Sequence, residues 1–390
     1  MEMRQTASRI AFERHPAGRR VETLDLKKEM ELYGSEIRAA IEDVLESGQF
    51  IGGPAITQLE AELSERLGVT HAIAVSSGTD AILCALMALE IGPGDEVIVP
   101  SFTFFATAGC VARLGAKPVF VDVDPRTFNL DPEQIEAAVT PKTRAIMPVH
   151  LYGQCADMDP ICEIGKRRGL CVIEDAAQAL GAQYKGRNAC TLGDIACLSF
   201  YPTKNLGGFG EGGMILTEDE RLAEVCRQLR THGESERYYH DRIGGNFRLD
   251  TMKAAILLVK LKHLDTFTRR RRETAERYNE LLREVPVQRP FVPTHQAPVY
   301  HQYTIQCDRR DELKASLQEH RIGTAVYYPV PLHLQTCFEG LGYRCGSLPV
   351  TERVCQRVLS LPCHPMLHDG DIEHVAKRIR ECYGEPDRET

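Results

Sequence analysis

The sequence predicts an α/β protein: a mostly parallel sheet with helices on both faces, followed by a smaller α+β domain. From about Gly68, short β-rich apolar runs alternate with helical patterns, the order that builds a parallel sheet. The runs are apolar without interruption, as expected of strands covered on both faces. Past residue 250 the alternation stops, and long helix gives way to a mixed pattern.

Residues 1–20 are arginine-rich and lack an apolar stretch long enough for a secretory signal, while Glu2 and Glu13 weigh against a transit peptide. A disordered tail is expected there. Strands are expected at His71–Val75, Glu96–Val99, Pro118–Val123, Ala145–Pro148, Cys171–Glu174 and Ile195–Phe200. Helices fall between them, at Ala81–Leu89, Ala106–Leu114, Pro132–Ala138 and Asp159–Arg168. Thr251 to Leu282 reads as one long helix or two in succession. Arg269–Arg272 lies within it. Glu273, Glu276 and Glu280 follow at helical spacing, so a solvated helix face is expected rather than a nucleic-acid patch. A strand at Tyr303–Cys307, a helix at Arg310–Glu319, a Pro-rich loop at Tyr327–Leu334 and a helix from Asp371 to Tyr383 complete the chain. The expected division is a tail at 1–20, a large domain at 21–265 and a small C-terminal domain at 266–390.

Composition narrows the function classes. The chain has 390 residues, 43% of them hydrophobic, and a net charge of −8. It can build a large core, and it lacks the basic surplus of a nucleic-acid binder. Its 14 cysteines include no C-x-x-C pair, so no metal site is expected, and reduced thiols in a cytoplasmic protein are. The longest apolar candidate, His71 to Ile91, is broken by Ser76-Ser77-Gly78-Thr79-Asp80; no membrane span is expected.

Five motifs carry chemistry. Lys204 lies between the apolar run Asp194–Leu198 and Gly207-Gly208. It is either a surface loop lysine or, if partly buried, an amine with a lowered pKa suited to a Schiff base. Ser76-Ser77-Gly78-Thr79-Asp80 stands between a strand and a helix, as a helix cap or a phosphate site. Glu174-Asp175-Ala176-Ala177-Gln178 ends a buried strand. Asp175 either caps a helix at Ala176–Leu180 or faces a cationic ring nitrogen, with Gln178 one turn on. The aromatic run Phe102, Phe104 and Phe105 is core or a stacking surface, and Arg248 in Gly244–Leu249 is a turn residue or an anion clamp. Lysine, phosphate loop, carboxylate and aromatic fall at four strand ends, where open parallel sheets bind ligands. Together they suggest pyridoxal phosphate.

These motifs, with Gly92-Pro93-Gly94-Asp95-Glu96-Val97, Pro148–Gln154 and Asn246-Phe247-Arg248-Leu249, resemble the DegT/StrS class of sugar aminotransferases from about Val21 to Tyr383. The resemblance implies a fold-type I pyridoxal phosphate transferase with a seven-stranded sheet, working as a homodimer with active sites at the interface. It implies that Lys204 is the covalent lysine, Asp175 the pyridine-nitrogen partner and Gln178 the group near the ring hydroxyl. Phe104 matches the stacking position, and Gly78, Thr79 and Ser199 the phosphate cup. Asn246 and Arg248 match the segment reaching in from the neighbouring subunit. Tyr328 and His333, in the Pro-rich loop, are expected at the substrate together with Arg248. The likeness is strongest to the branch that aminates the 3-keto group of a UDP-linked 2-acetamido sugar acid, for amino-sugar and polysaccharide biosynthesis. Tyr327 departs from it, since many relatives have histidine there.

The implied reaction takes an amino group from L-glutamate, stores it as pyridoxamine phosphate and delivers it to a nucleotide-linked ketosugar. Two alternatives stand beside it. A dehydratase of the same fold carries histidine at the lysine position, which Lys204 opposes. A regulatory protein that binds the cofactor without turnover need not keep Lys204, Asp175, Gln178 and Ser199 together.

Overall fold

The computed structural model describes residues 19–384; the expected disordered tail lies outside the described residues except for Arg19 and Arg20. Two helices come first, α1 (Leu26–Ser47) and α2 (Pro54–Leu67). Asp25 caps α1 by accepting from the Lys28 N–H at 2.9 Å, and Gly48 at φ 65° ends it. Such a left-handed close favours glycine.

The large domain follows as β1 (His71–Val75), α3 (Gly78–Ala88), β2 (Glu96–Pro100), α4 (Ala106–Arg113), β3 (Lys117–Val121), α5 (Ile135–Ala138), β4 (Thr143–Ile146), α6 (Met158–Arg168) and β5 (Cys171–Asp175). A short hairpin, β6 (Gln183–Tyr184) and β7 (Arg187–Asn188), leads to β8 (Ile195–Ser199), β9 (Gly213–Thr217) and α7 (Glu220–Arg230). Seven strands form one sheet in the order β1-β9-β8-β5-β4-β2-β3. β9 runs antiparallel to both neighbours and the remaining pairs are parallel. Along β1, Ala72 and Ala74 join one core and Ile73 and Val75 the other. Successive side chains of a strand point to opposite faces, so a strand covered on both sides must be apolar throughout.

Beyond a second hairpin, β10 (Glu234–Glu236) and β11 (Tyr239–His240), the expected helical stretch is two helices, α8 (Thr251–Leu261) and α9 (Leu264–Leu281). The latter straddles two cores. Leu264 packs in the large domain, while Ala275 and Tyr278 pack in the small one with Tyr303, Ile305, Leu313, Leu359 and Val375. β12 (Gln296–Ala297) pairs with β6 of the large domain, and the small domain follows with β13 (Tyr303–Gln306), α10 (Arg310–Glu319), α11 (Pro349–Arg357), β14 (Val358–Leu361) and α12 (Asp369–Cys382).

Three expectations change. β9 was not foreseen; its Met214–Leu216 core is short and follows a glycine-rich turn, which hides it. The residues after Asp175 form turns, not a capped helix. The arginine run is not a solvated face: Arg270 and Arg271 are buried. Arg271 Nη1 donates to the carbonyls of Tyr300 at 3.2 Å, His301 at 3.1 Å and Cys363. Arg270 Nη2 donates to Leu367 O at 2.9 Å. A guanidinium presents five donors in a planar fork, so these side chains knit loops that helical spacing alone cannot reveal.

One stretch of the C-terminal part folds back. Leu332, Phe338 and Leu348 join the large-domain core. Phe338 stacks on Phe105 at 5.7 Å and meets Phe120 edge-on at 5.3 Å. The return is pinned by Asp122, whose carboxylate accepts from the backbone N–H groups of Val350 at 2.9 Å and Thr351 at 2.7 Å, at the start of α11.

Candidate active site

Both β5 and β8 end at the same edge of the sheet, where β1 passes into α3. β5 ends in two carboxylates that point to opposite faces. Glu174 is wholly buried and structural: it accepts from the N–H groups of Cys190, Leu192 and Gly193 at 2.7–2.8 Å and bonds His150 Nε2 at 2.8 Å. Asp175 turns the other way. Its carboxylate accepts from the Thr107 hydroxyl at 2.7 Å and the Ala177 N–H at 3.2 Å. Only 4% of Asp175 is exposed, and burial pushes its pKa up against these donors and the attraction of Lys204. A buried carboxylate without a contacting cation is costly, and a protonated ring nitrogen would supply one.

Lys204 sits in the turn after β8, its N–H donating to Tyr201 O at 2.8 Å. The turn is tight: a Cβ at Gly207 would collide with the Pro202 carbonyl. Burial pushes the lysine amine down to about 8, with Asp175 pulling it back up. An amine near that value is partly neutral at working pH and can act as a nucleophile.

Gly78 opens α3, an eleven-residue helix capped by the Ser77 hydroxyl, which accepts from Asp80 N at 3.0 Å. A Cβ at Gly78 would fall 2.7 Å from Ser199 Cβ. Glycine is therefore required for the end of β8 to touch the start of the helix. The N–H groups of Gly78 and Thr79 have no acceptor within the helix, and the dipole adds positive charge. Such a helix start has the chemistry of a phosphate cradle.

Gln178 Oε1 accepts from the Tyr152 N–H at 2.7 Å, and its Nε2 donates to the Tyr328 hydroxyl at 3.3 Å. Tyr328 faces Phe104 with ring centroids 6.3 Å apart. Phe104 is 57% exposed, leaving its ring open to a flat ligand, whereas Phe102 is core. The structure thus gathers Lys204, Asp175, Gly78, Thr79, Ser199, Gln178, Phe104 and Tyr328 around the β1, β2, β5 and β8 ends. Phe247 O accepts from Ser76 N at 2.8 Å and Arg248 bridges Val75, so the segment with Asn246 and Arg248 runs beside the phosphate cradle.

His333 is placed differently from its expected position at the substrate. It is 1% exposed, with Nδ1 on the Ser101 hydroxyl at 2.7 Å and Nε2 on Glu352 at 3.1 Å. It ties the Pro-rich loop to the end of β2. Sequence reasoning passed over Thr107, Tyr152, Asn205 and His301. Thr107 follows the aromatic run by two positions, but nothing local marks its link to Asp175.

Buried carboxylate, depressed amine, phosphate cradle and open aromatic ring fit one cofactor, pyridoxal phosphate. Fold and site together define the class, a pyridoxal phosphate enzyme that transfers amino groups. Residues 32–380 match the DegT/DnrJ/EryC1/StrS aminotransferase family. The chain is similar to the "Pleiotropic regulatory protein" of Geobacillus stearothermophilus, 52% identical over 93% of this chain and 98% of that one. It is 47% identical to the UDP-2-acetamido-2-deoxy-3-oxo-D-glucuronate aminotransferase of Pseudomonas aeruginosa, over 92% of this chain and 99% of that one. It is 45% identical to the dTDP-3-amino-3,4,6-trideoxy-alpha-D-glucose transaminase of Streptomyces venezuelae, over 93% of this chain and 96% of that one. The crystal structure of NtdA from Bacillus subtilis with bound cofactor PMP superposes with a TM-score of 0.89 at 34% identity, over 96% of this chain and 87% of that one. The chain belongs to the DegT/DnrJ/EryC1/StrS aminotransferase family. It is a pyridoxal phosphate-dependent sugar aminotransferase.

Proposed function

We propose that the protein moves the amino group of L-glutamate to the keto carbon of a nucleotide-linked sugar, for amino-sugar and polysaccharide biosynthesis. The favoured acceptor is a UDP-linked 3-keto-2-acetamido sugar acid. The observation that carries the reaction type is the pairing of Asp175, buried at the end of β5, with the depressed amine of Lys204 beside it. The acceptor rests on the 47% identity to the glucuronate enzyme, and the 45% identity to a dTDP-sugar enzyme supports the wider class.

When bound, pyridoxal phosphate supplies an electron sink for the carbon that gains or loses the amine. Lys204 would hold the cofactor covalently, and its amine, when free, would carry the proton to and from the substrate carbon. Asp175 keeps a proton on the ring nitrogen, an electrostatic role that gains strength away from water. The Thr107 hydroxyl and the Ala177 N–H hold that carboxylate in place. Gln178 holds the ring hydroxyl, Phe104 stacks on the ring, and Gly78, Thr79 and Ser199 take the phosphate. Asn246 and Arg248 complete the neighbouring site in a homodimer, with Arg248 and Tyr328 at the substrate. His333 supports the substrate loop from behind. The expected setting is the cytoplasm.

A second reading, a cofactor-binding regulator without turnover, is favoured by the name of the 52% identical relative. One assay separates them. Adding L-glutamate to the cofactor-loaded protein should convert the absorbance to that of the pyridoxamine form, and Lys204→Ala should abolish this. A spectrum unmoved by glutamate would sink the transaminase reading.

A further inference from the structure

His301 stands next to the catalytic turn with no part in the reaction described so far. It is 7% exposed. Its ring is fixed by Asn205, the residue after Lys204. Asn205 Nδ2 donates to Val299 O at 3.2 Å. A carbonyl can only accept, so the amide oxygen is the end that faces His301 Nδ1, also at 3.2 Å. That contact is a hydrogen bond only if Nδ1 carries the proton. His301 is therefore the Nδ1–H tautomer, with a bare lone pair on Nε2. Burial, Lys204 and Arg271 all oppose a second proton, so the ring stays neutral. The main chain is fixed as well, since Arg271 Nη1 donates to the His301 carbonyl at 3.1 Å.

His301 also lines a cavity of about 70 Å³ with Thr203, Arg271, Gln302 and Tyr327. That is room for water beside the lysine turn. With Nδ1 engaged, Nε2 is the imidazole atom left for this space. The charged group acting on the lysine amine is Asp175 from β5, and the lysine charge in turn reaches His301. Asp175 is already held by Thr107 and Ala177, and Arg271 can only donate.

We propose that His301 is a positioning residue for Lys204: its Nε2 accepts a hydrogen bond from the lysine ammonium, directly or through a water in the cavity, whenever the amine is not bonded to the cofactor. The proton stays on the lysine. The bond holds the freed side chain near its working place between the two halves of the reaction. This rests on Lys204 being the covalent lysine.

The test uses cofactor-free protein. The rate at which an amine-reactive reagent labels Lys204 is followed against pH by peptide mass spectrometry. The wild-type midpoint is expected near 8. His301→Phe removes the acceptor and should lower the midpoint by about one unit, making labelling at pH 7 about fivefold faster. His301→Gln keeps an acceptor and should restore the midpoint. An unchanged midpoint in His301→Phe, or a shift that His301→Gln fails to reverse, overturns the proposal. Should His301→Phe not fold, Asn205→Leu, which frees the ring from its anchor, must lower the midpoint; no shift there is equally fatal. Borohydride trapping of the loaded wild type tests the underlying assignment separately. Cofactor fixed to a lysine other than Lys204 would refute that assignment and leave the labelling result standing.

Discussion

The hydroxyl of Thr107 donates a 2.7 Å hydrogen bond to the carboxylate of Asp175. The donor comes from the first turn of α4 and the acceptor from the last residue of β5, separated by 68 positions. A helix start and a strand end are thereby tied at the point where the ring nitrogen would be held. Thr107→Val keeps the shape and removes the donor. A hydrogen bond to a charged group is worth about 1.5–3 kcal/mol, so cofactor affinity should fall about 10- to 100-fold, read by equilibrium dialysis. Unaltered affinity would show that Asp175 is held by Ala177 alone.

The lysine makes a prediction about stability and pH. Its folded pKa of about 8 lies below its ordinary value of 10.5. Between those values the unfolded chain binds more protons than the folded one, so stability rises with pH there. The cost of burying the charge, on the order of 3 kcal/mol, is present in full below pH 8 and fades towards pH 10.5. Cofactor-free Lys204→Met should therefore melt above the wild type at pH 7, and the gap should close as pH rises through this window. A gap constant with pH would contradict an enclosed amine.

Gly78→Ala tests the phosphate cradle. The new Cβ would lie 2.7 Å from that of Ser199, and overpacking of this kind costs about 1–3 kcal/mol. Relief must come by moving the helix start away from β8. Affinity for pyridoxal phosphate should drop while affinity for pyridoxal, which lacks the phosphate, changes little. Equal losses for both would place the phosphate elsewhere.

Arg271→Met should cost about 2–4 kcal/mol in urea unfolding, because three carbonyls lose their donor. Arg271→Lys should recover part of this, since one Nη1 now serves all three carbonyls and an ammonium also carries three donors, though on a shorter stem. The neighbouring Arg269→Ala, at a surface ion pair with Glu273, should stay within about 0.5 kcal/mol.

His333→Ala removes the links to Ser101 and Glu352 without touching the cofactor cradle. Cofactor affinity should hold, while KM for the sugar substrate should rise several-fold as the loop carrying Tyr328 loosens. A loss of cofactor instead would place the effect at the sheet edge.

The parallel sheet was legible because strands such as β1 and β2 must be apolar on both faces. The cofactor motifs were legible because each is a local phrase at a strand end. What stayed hidden was whatever depends on distant partners. Arg271 reads as a surface charge until the carbonyls of Tyr300, His301 and Cys363 close round it. His333 reads as a loop residue until Ser101 and Glu352 cover both its nitrogens. β9 was hidden because a short run after glycines carries too little pattern.

Between α9 and α11 the chain leaves the large-domain core, returns to it at Val299, and returns again from Leu332 to Leu348, packing in the small core in between. A hinge would have to bend at every one of these crossings together while peeling Phe338 and Leu332 out of the large-domain core. The two domains are thus stitched rather than jointed. The Pro-rich loop that carries Tyr328 is therefore moored at Leu332 to the same core as the sheet, and its position is inherited from the large domain.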